Sequence, residues 1–93
     1  MNNPTITKVE REVSKLTFNI ESLSLDQHKE EVHAELADLY FERAELYFKS
    51  ERFQWAIDDY TLCLDFNPYF YEADMGREMV YLAMKEGMAA VAA

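Results

Sequence analysis

Ile6, Val9, Val13, Leu16, Ile20 and Leu23 recur at alternating spacings of three and four, a pattern that an α-helix brings onto one line. The spacing predicts a helix over residues 4–23, with Pro4 in the first turn, where its missing N–H is harmless. Lys8, Glu10, Arg11, Glu12, Ser14 and Lys15 fill the positions between. The apolar line is therefore narrow, as in one half of a helical hairpin. With two glycines and two prolines in 93 residues, the chain reads as helices joined by short loops.

Ser22, Ser24 and Asp26 mark a break, and Ser24 or Asp26 can cap a second helix running to about residue 50. Along it Leu25, Val32, Leu39 and Leu46 fall seven apart, with Leu36 beside them. Tyr40 and Tyr47, Ala37 and Ala44, and Phe41 and Phe48 widen the apolar arc past half the circumference, so this helix needs two neighbours. A third helix is expected over residues 53–66, with Phe53, Ala56, Ile57, Tyr60, Cys63 and Leu64 on its main face. Asn67-Pro68 ends it, because proline disfavours helical geometry in the residue before it. A fourth helix is expected over residues 70–86, with Gly87 as its C′ residue and 87–93 as a frayed tail.

Residues 37–70 carry Tyr40-x₂-Arg43-Ala44-x₂-Tyr47, then Ala56-x₃-Tyr60, then Pro68. This segment resembles a tetratricopeptide repeat, a 34-residue helix–turn–helix with the signature W-x₂-L-G-x₂-Y, A-x₃-F, P. Tyr40 stands for Trp, Arg43 for Leu and Ala44 for Gly, and Glu51 lies in a turn where the family often has Gly. The resemblance implies an all-α fold of about four helices, antiparallel hairpins in a right-handed stack. It divides a single domain of residues 1–93 into an N-terminal helix (4–23), a hairpin (26–70), a capping helix (70–86) and the tail. A 34-residue shift places Asp74 and Glu78 where a following helix would demand an aromatic and a small residue, as suits a terminal cap.

Cys63 is the only cysteine, so no internal disulfide forms, and a reducing, cytoplasmic setting is expected. The N-terminus lacks the basic and apolar regions of a signal peptide, and no apolar run approaches the ~18–20 residues of a membrane span. A formal net charge of −9 repels nucleic acid and anionic membranes and favours a basic or amphipathic protein partner, besides keeping the chain soluble. No catalytic motif is present: no HExxH, no phosphate loop, no serine elbow. His28 and His33, five apart, read as surface residues and not as a metal site. Cys63 reads as a buried inert thiol, and Asp58-Asp59 and Glu30-Glu31 as solvated faces. The expectation is a non-catalytic protein-interaction module without metal or cofactor.

In the family resembled, first helices of successive repeats make a concave binding surface. Carried over, that surface holds Asp38, Phe41, Glu42, Glu45, Phe48 and Lys49 from the second helix. The fourth helix adds Glu72, Met75, Gly76, Met79 and Leu82. With Lys49 its one basic residue, it cannot clamp a partner's terminal carboxylate. It suits a basic or amphipathic helix or extended segment, with Asp38, Glu42 and Glu45 on the rim. Phe41, Phe48, Met75, Met79 and Leu82 would serve equally as core between the two helices, the usual role of apolar stripes. The alternative function is self-association. One and a half repeats fall short of the ~3 usually needed, and a homodimer face of Trp55, Leu62 and Phe66 would supply the missing burial.

Overall fold

The computed structural model describes residues 7–92, with residues 88–92 as backbone alone. Among these it has four α-helices and no strand: α1 Lys8–Ser24, α2 His33–Lys49, α3 Phe53–Phe66 and α4 Tyr71–Ala92. Successive helices pack side by side, α2 on α3 most extensively, α3 on α4 and α1 on α2, as an all-α stack of hairpins.

Helix α1 starts later than its apolar spacing suggests. The Glu10 N–H donates to Thr7 Oγ1 at 3.1 Å, and the Thr7 N–H donates back to the Glu10 carboxylate at 3.0 Å. This capping box satisfies two otherwise orphaned donors and fixes Lys8 as the first helical residue. The expected start at Pro4 lies outside the described residues. The Thr7 N–H also holds the Glu10 carboxyl below its ordinary range.

The second helix does not begin at residue 26. The chain turns through residues 25–29 and makes a single 3₁₀ turn, Glu30–Val32, before α2. Leu25 is 81% exposed, so the seven-residue stripe loses its first member. Nε2 of His33 lies 2.7 Å from the Gln27 carbonyl, tying the turn to the start of α2.

Helix α2 ends in a Schellman motif: the Arg52 N–H reaches the Tyr47 carbonyl at 2.8 Å and the Glu51 N–H reaches Phe48 at 3.0 Å. The motif requires a left-handed residue, and Glu51 takes that conformation at φ 62°. Helix α3 spans the residues its spacing predicts, and Asn67 Oδ1 accepts the Tyr69 N–H at 3.1 Å in the turn beyond it. Gly87 does not stop α4. The helix continues through it to Ala92, and no described glycine has a positive φ.

The core lies where α2, α3 and α4 meet. Ala44 on α2, Ala56 on α3 and Ala73 on α4 are fully buried, and small residues at the crossings let the backbones approach. Tyr60, Cys63 and Val80 fill the space between them. Phe41 stacks on Phe70 with centroids 4.8 Å apart, and Phe48 meets Phe53 edge-on at 6.0 Å. Ile20 on α1 and Leu36 on α2 are the buried apolar side chains outside this cluster.

The molecule is thin. Its principal extents are 49 × 40 × 15 Å, and its radius of gyration is 14.9 Å. A compact globule of this length would have a radius of about 12 Å, and one helix with its side chains is about 10–12 Å across. Every helix therefore leaves a broad side in solvent.

Candidate functional site

The side chain with the most side-chain hydrogen bonds among the described residues is Arg43, which ties helices together. Arg43 on α2 donates from Nε and Nη2 to the two Asp59 oxygens on α3, at 2.7 and 2.9 Å. Its Nη1 donates to Thr17 Oγ1 on α1 at 3.0 Å. The rings of Tyr40 and Tyr47 flank the guanidinium at 5.6 and 5.7 Å. One side chain thus joins three helices, and Asp59 is buried, contrary to its expected place on a solvated face. Donating to Asp59 holds the guanidinium above its ordinary value. Burial pushes the Asp59 carboxyl up, and the guanidinium pulls it back down. Each of the three guanidinium nitrogens and both carboxylate oxygens thus has a partner within the protein.

The same motif recurs at the next step. Arg77 on α4 donates from Nη1 to Thr61 Oγ1 on α3, also at 3.0 Å. Arg43 and Arg77 are 34 positions apart (77 − 43), and each reaches a threonine of the preceding helix. They differ in what closes the fork. Arg43 has Asp59 from the following helix, whereas Arg77 has Asp74 of its own helix at 3.3 Å.

The eight residues expected to line the α2–α4 groove divide into three groups. Phe41 and Phe48 are partly buried against the core, so their main role is packing. Asp38, Glu42 and Glu45 are exposed on α2, and Glu45 also accepts a hydrogen bond from the Tyr60 hydroxyl. Burial, reinforced by Glu45, pushes the Tyr60 hydroxyl above its ordinary range. Met75, Met79 and Leu82 are 63%, 54% and 52% exposed, on roughly the opposite side of α4 from buried Ala73 and Val80. Glu72 and Glu78 flank this row. Gly76, expected on the groove surface, lies over Tyr60: a Cβ there would stand 2.6 Å from Tyr60 Cζ.

An open cleft of about 510 Å³ lies between α1 and α2. Leu16, Phe41 and Leu46 give it an apolar lining, with Glu12, Lys15, Asn19, Glu42 and Glu45 around them. Phe41, Glu42 and Glu45 were expected in a site, but facing α4. The contribution of α1 leaves no mark in its apolar spacing, which predicts only a buried seam.

On the other side, Trp55 is 53% exposed, edge-on to Tyr47 at 5.3 Å and beneath the Arg52 guanidinium at 5.4 Å. Leu62 lines a shallow hollow with Trp55, Arg43 and Tyr47. Phe66 is partly buried: its ring stacks on Tyr40 at 6.0 Å and meets His33 at 5.1 Å. His33 is accordingly half-buried, not a free surface residue, while His28 is exposed. Cys63 is buried, and burial, with the Asp38 and Glu72 charges behind it, pushes its thiol up to about 12. Among the described residues no group of His, Cys, Asp and Glu is arranged to hold a metal ion, and no helix is long and apolar enough to cross a membrane. No family model, curated protein or solved structure matches this chain.

Proposed function

We propose that this chain is a non-catalytic protein-interaction module of tetratricopeptide-like construction, working in the cytoplasm, and that α4 receives a basic amphipathic helix of a partner. The observation that carries the proposal is the row Met75, Met79 and Leu82, each more than half exposed, with Glu72 and Glu78 beside it. Three large apolar side chains at i, i+4 and i+7 match the anchor spacing of a helix laid alongside. Methionine adapts to varied apolar anchors. The flanking carboxylates select a partner with lysine or arginine beside its anchors, and they disfavour a second copy of a chain with net charge −9. The fully buried Ala44 and Ala56, and two arginines 34 positions apart that each reach a threonine of the preceding helix, support the repeat construction. A buried, neutral Cys63 suits a reducing compartment.

The test is titration of the protein with a designed amphipathic helix carrying leucine anchors and lysine flanks, and with its glutamate-flanked counterpart. The lysine peptide should bind, more tightly at low salt, and the glutamate peptide should not. Met79→Asp with Leu82→Asp should abolish binding while moving the thermal midpoint little. Binding that survives the double substitution would refute the proposal.

A further inference from the structure

The α1–α2 cleft is a separate surface with its own chemistry. Leu16 from α1 and Phe41 and Leu46 from α2 are all partly exposed in it. Around them stand Glu12, Glu42 and Glu45, against a single cation, Lys15. The ion pairs among the described residues are Lys29–Asp26, Arg43–Asp59, Arg52–Glu10 and Arg77–Asp74. Neither Glu12 nor Glu42 belongs to one, so both carboxylates are available to an incoming cation. Glu45 is engaged by the Tyr60 hydroxyl and serves as a fixed wall. At about 510 Å³ the cleft is within the usual range of ligand sites, room for a few side chains and not for a whole helix.

We infer that this cleft binds a short extended segment of a partner protein, with one bulky apolar residue on Phe41 and flanking arginine or lysine side chains on Glu12 and Glu42. Charge complementarity decides the occupant. Three carboxylates against one ammonium repel an acidic segment, and the apolar lining favours a peptide with an anchor over a purely hydrophilic cation. The inference does not depend on the α4 proposal, since it uses no residue of that helix.

The probe is a short, doubly capped peptide of alternating arginine and leucine, titrated into the isotopically labelled full chain and followed by amide and methyl shifts. Two control peptides replace leucine by serine or arginine by glutamate. Shifts should centre on Leu16, Phe41 and Leu46, with neither control peptide binding. Glu12→Gln with Glu42→Gln should weaken binding about fivefold or more at low salt, with an unchanged thermal midpoint. Equal binding of the serine control would reduce the interaction to bulk charge and overturn the inference. Shifts confined to Met75, Met79 and Leu82 would also overturn it, while leaving the α4 proposal standing. Undiminished affinity in the double variant would do the same.

Discussion

Gly76 and Gly87 lie in the same helix, yet alanine should act on them with opposite sign. At Gly76 a Cβ would stand 2.6 Å from Tyr60 Cζ and 2.8 Å from both Cε1 and the hydroxyl oxygen. Ordinary carbon contacts are about 3.5–4.0 Å, so the ring would have to retreat by about 1 Å. Tyr60 is fully buried and its hydroxyl is held by Glu45, so retreat strains the core and loosens that bond. Overpacking of this kind costs about 1–3 kcal/mol, and weakening a hydrogen bond to a charged group adds about 1 kcal/mol. Better helix propensity returns about 1 kcal/mol. Gly76→Ala should therefore lose about 2 kcal/mol, a fall of about 8–16 °C in thermal midpoint for a domain of this size. Gly87 has nothing within 4 Å of its would-be Cβ, so Gly87→Ala should gain up to about 1 kcal/mol. Far-UV circular dichroism melts and urea titrations of the three proteins measure both. If Gly76→Ala matches Gly87→Ala, the close crossing of α3 and α4 at Tyr60 is refuted.

Three further outcomes are expected. Glu51→Gly should stabilise by about 0.5–1 kcal/mol in urea, because relief of a left-handed residue (about 1–2 kcal/mol) exceeds the added unfolded-state entropy; a loss would mean the α2–α3 turn is not left-handed. Arg43→Ala should cost about 3–5 kcal/mol by leaving Asp59 buried and unpaired, and replacing both residues by leucine should cost less than that single change. The Arg43→Ala deficit should shrink on acidification, because a carboxyl already raised by burial takes up its proton in the folded state before the unfolded chain does at 3.8; a deficit independent of pH would contradict this. Finally, the buried Cys63 thiol, pushed from 9.0 to about 12, keeps its proton when the unfolded chain has lost it. Its contribution to stability is therefore constant below pH 9 and lost as pH rises towards 12. Cys63→Ala should flatten that decline in urea midpoints, and a thiol reagent at neutral pH should label Cys63 only on unfolding.

What the sequence made legible is what depends on neighbours along the chain. Helix α3 was readable at its C-terminal end because Asn67-Pro68 is a local stop signal, whereas the turn at Glu51 was legible only through the family resemblance. The start of α1 was local too, in Thr7-x-x-Glu10, but the apolar spacing running back to Ile6 hid it. Leu25 shows the limit of periodicity: it keeps step with Val32, Leu39 and Leu46, yet the chain turns between them and leaves it in water. Asp59 was misplaced because its partner, Arg43, lies sixteen residues away on another helix. Phe41 and Met75 are 34 positions apart, which is the repeat length of the family resembled, yet they face differently. Their burial differs because Phe70 returns to cover Phe41, while Met75 lies more than half in water. The cleft between α1 and α2 was invisible for the same reason, being set by how two helices diverge and not by either pattern alone.

The two arginine contacts bear on how the stack would come apart. Arg43 joins α1, α2 and α3 through Thr17 and Asp59, so breaking it loosens both neighbours of α2 at once. Arg77 joins α4 to α3 through Thr61, and its carboxylate partner, Asp74, belongs to its own helix. Fewer side-chain bonds therefore hold α4 to α3 than hold α3 to α2, where the Tyr60 hydroxyl also donates to Glu45. Helix α4 should detach before α3 leaves α2, an order that amide exchange along the chain would show.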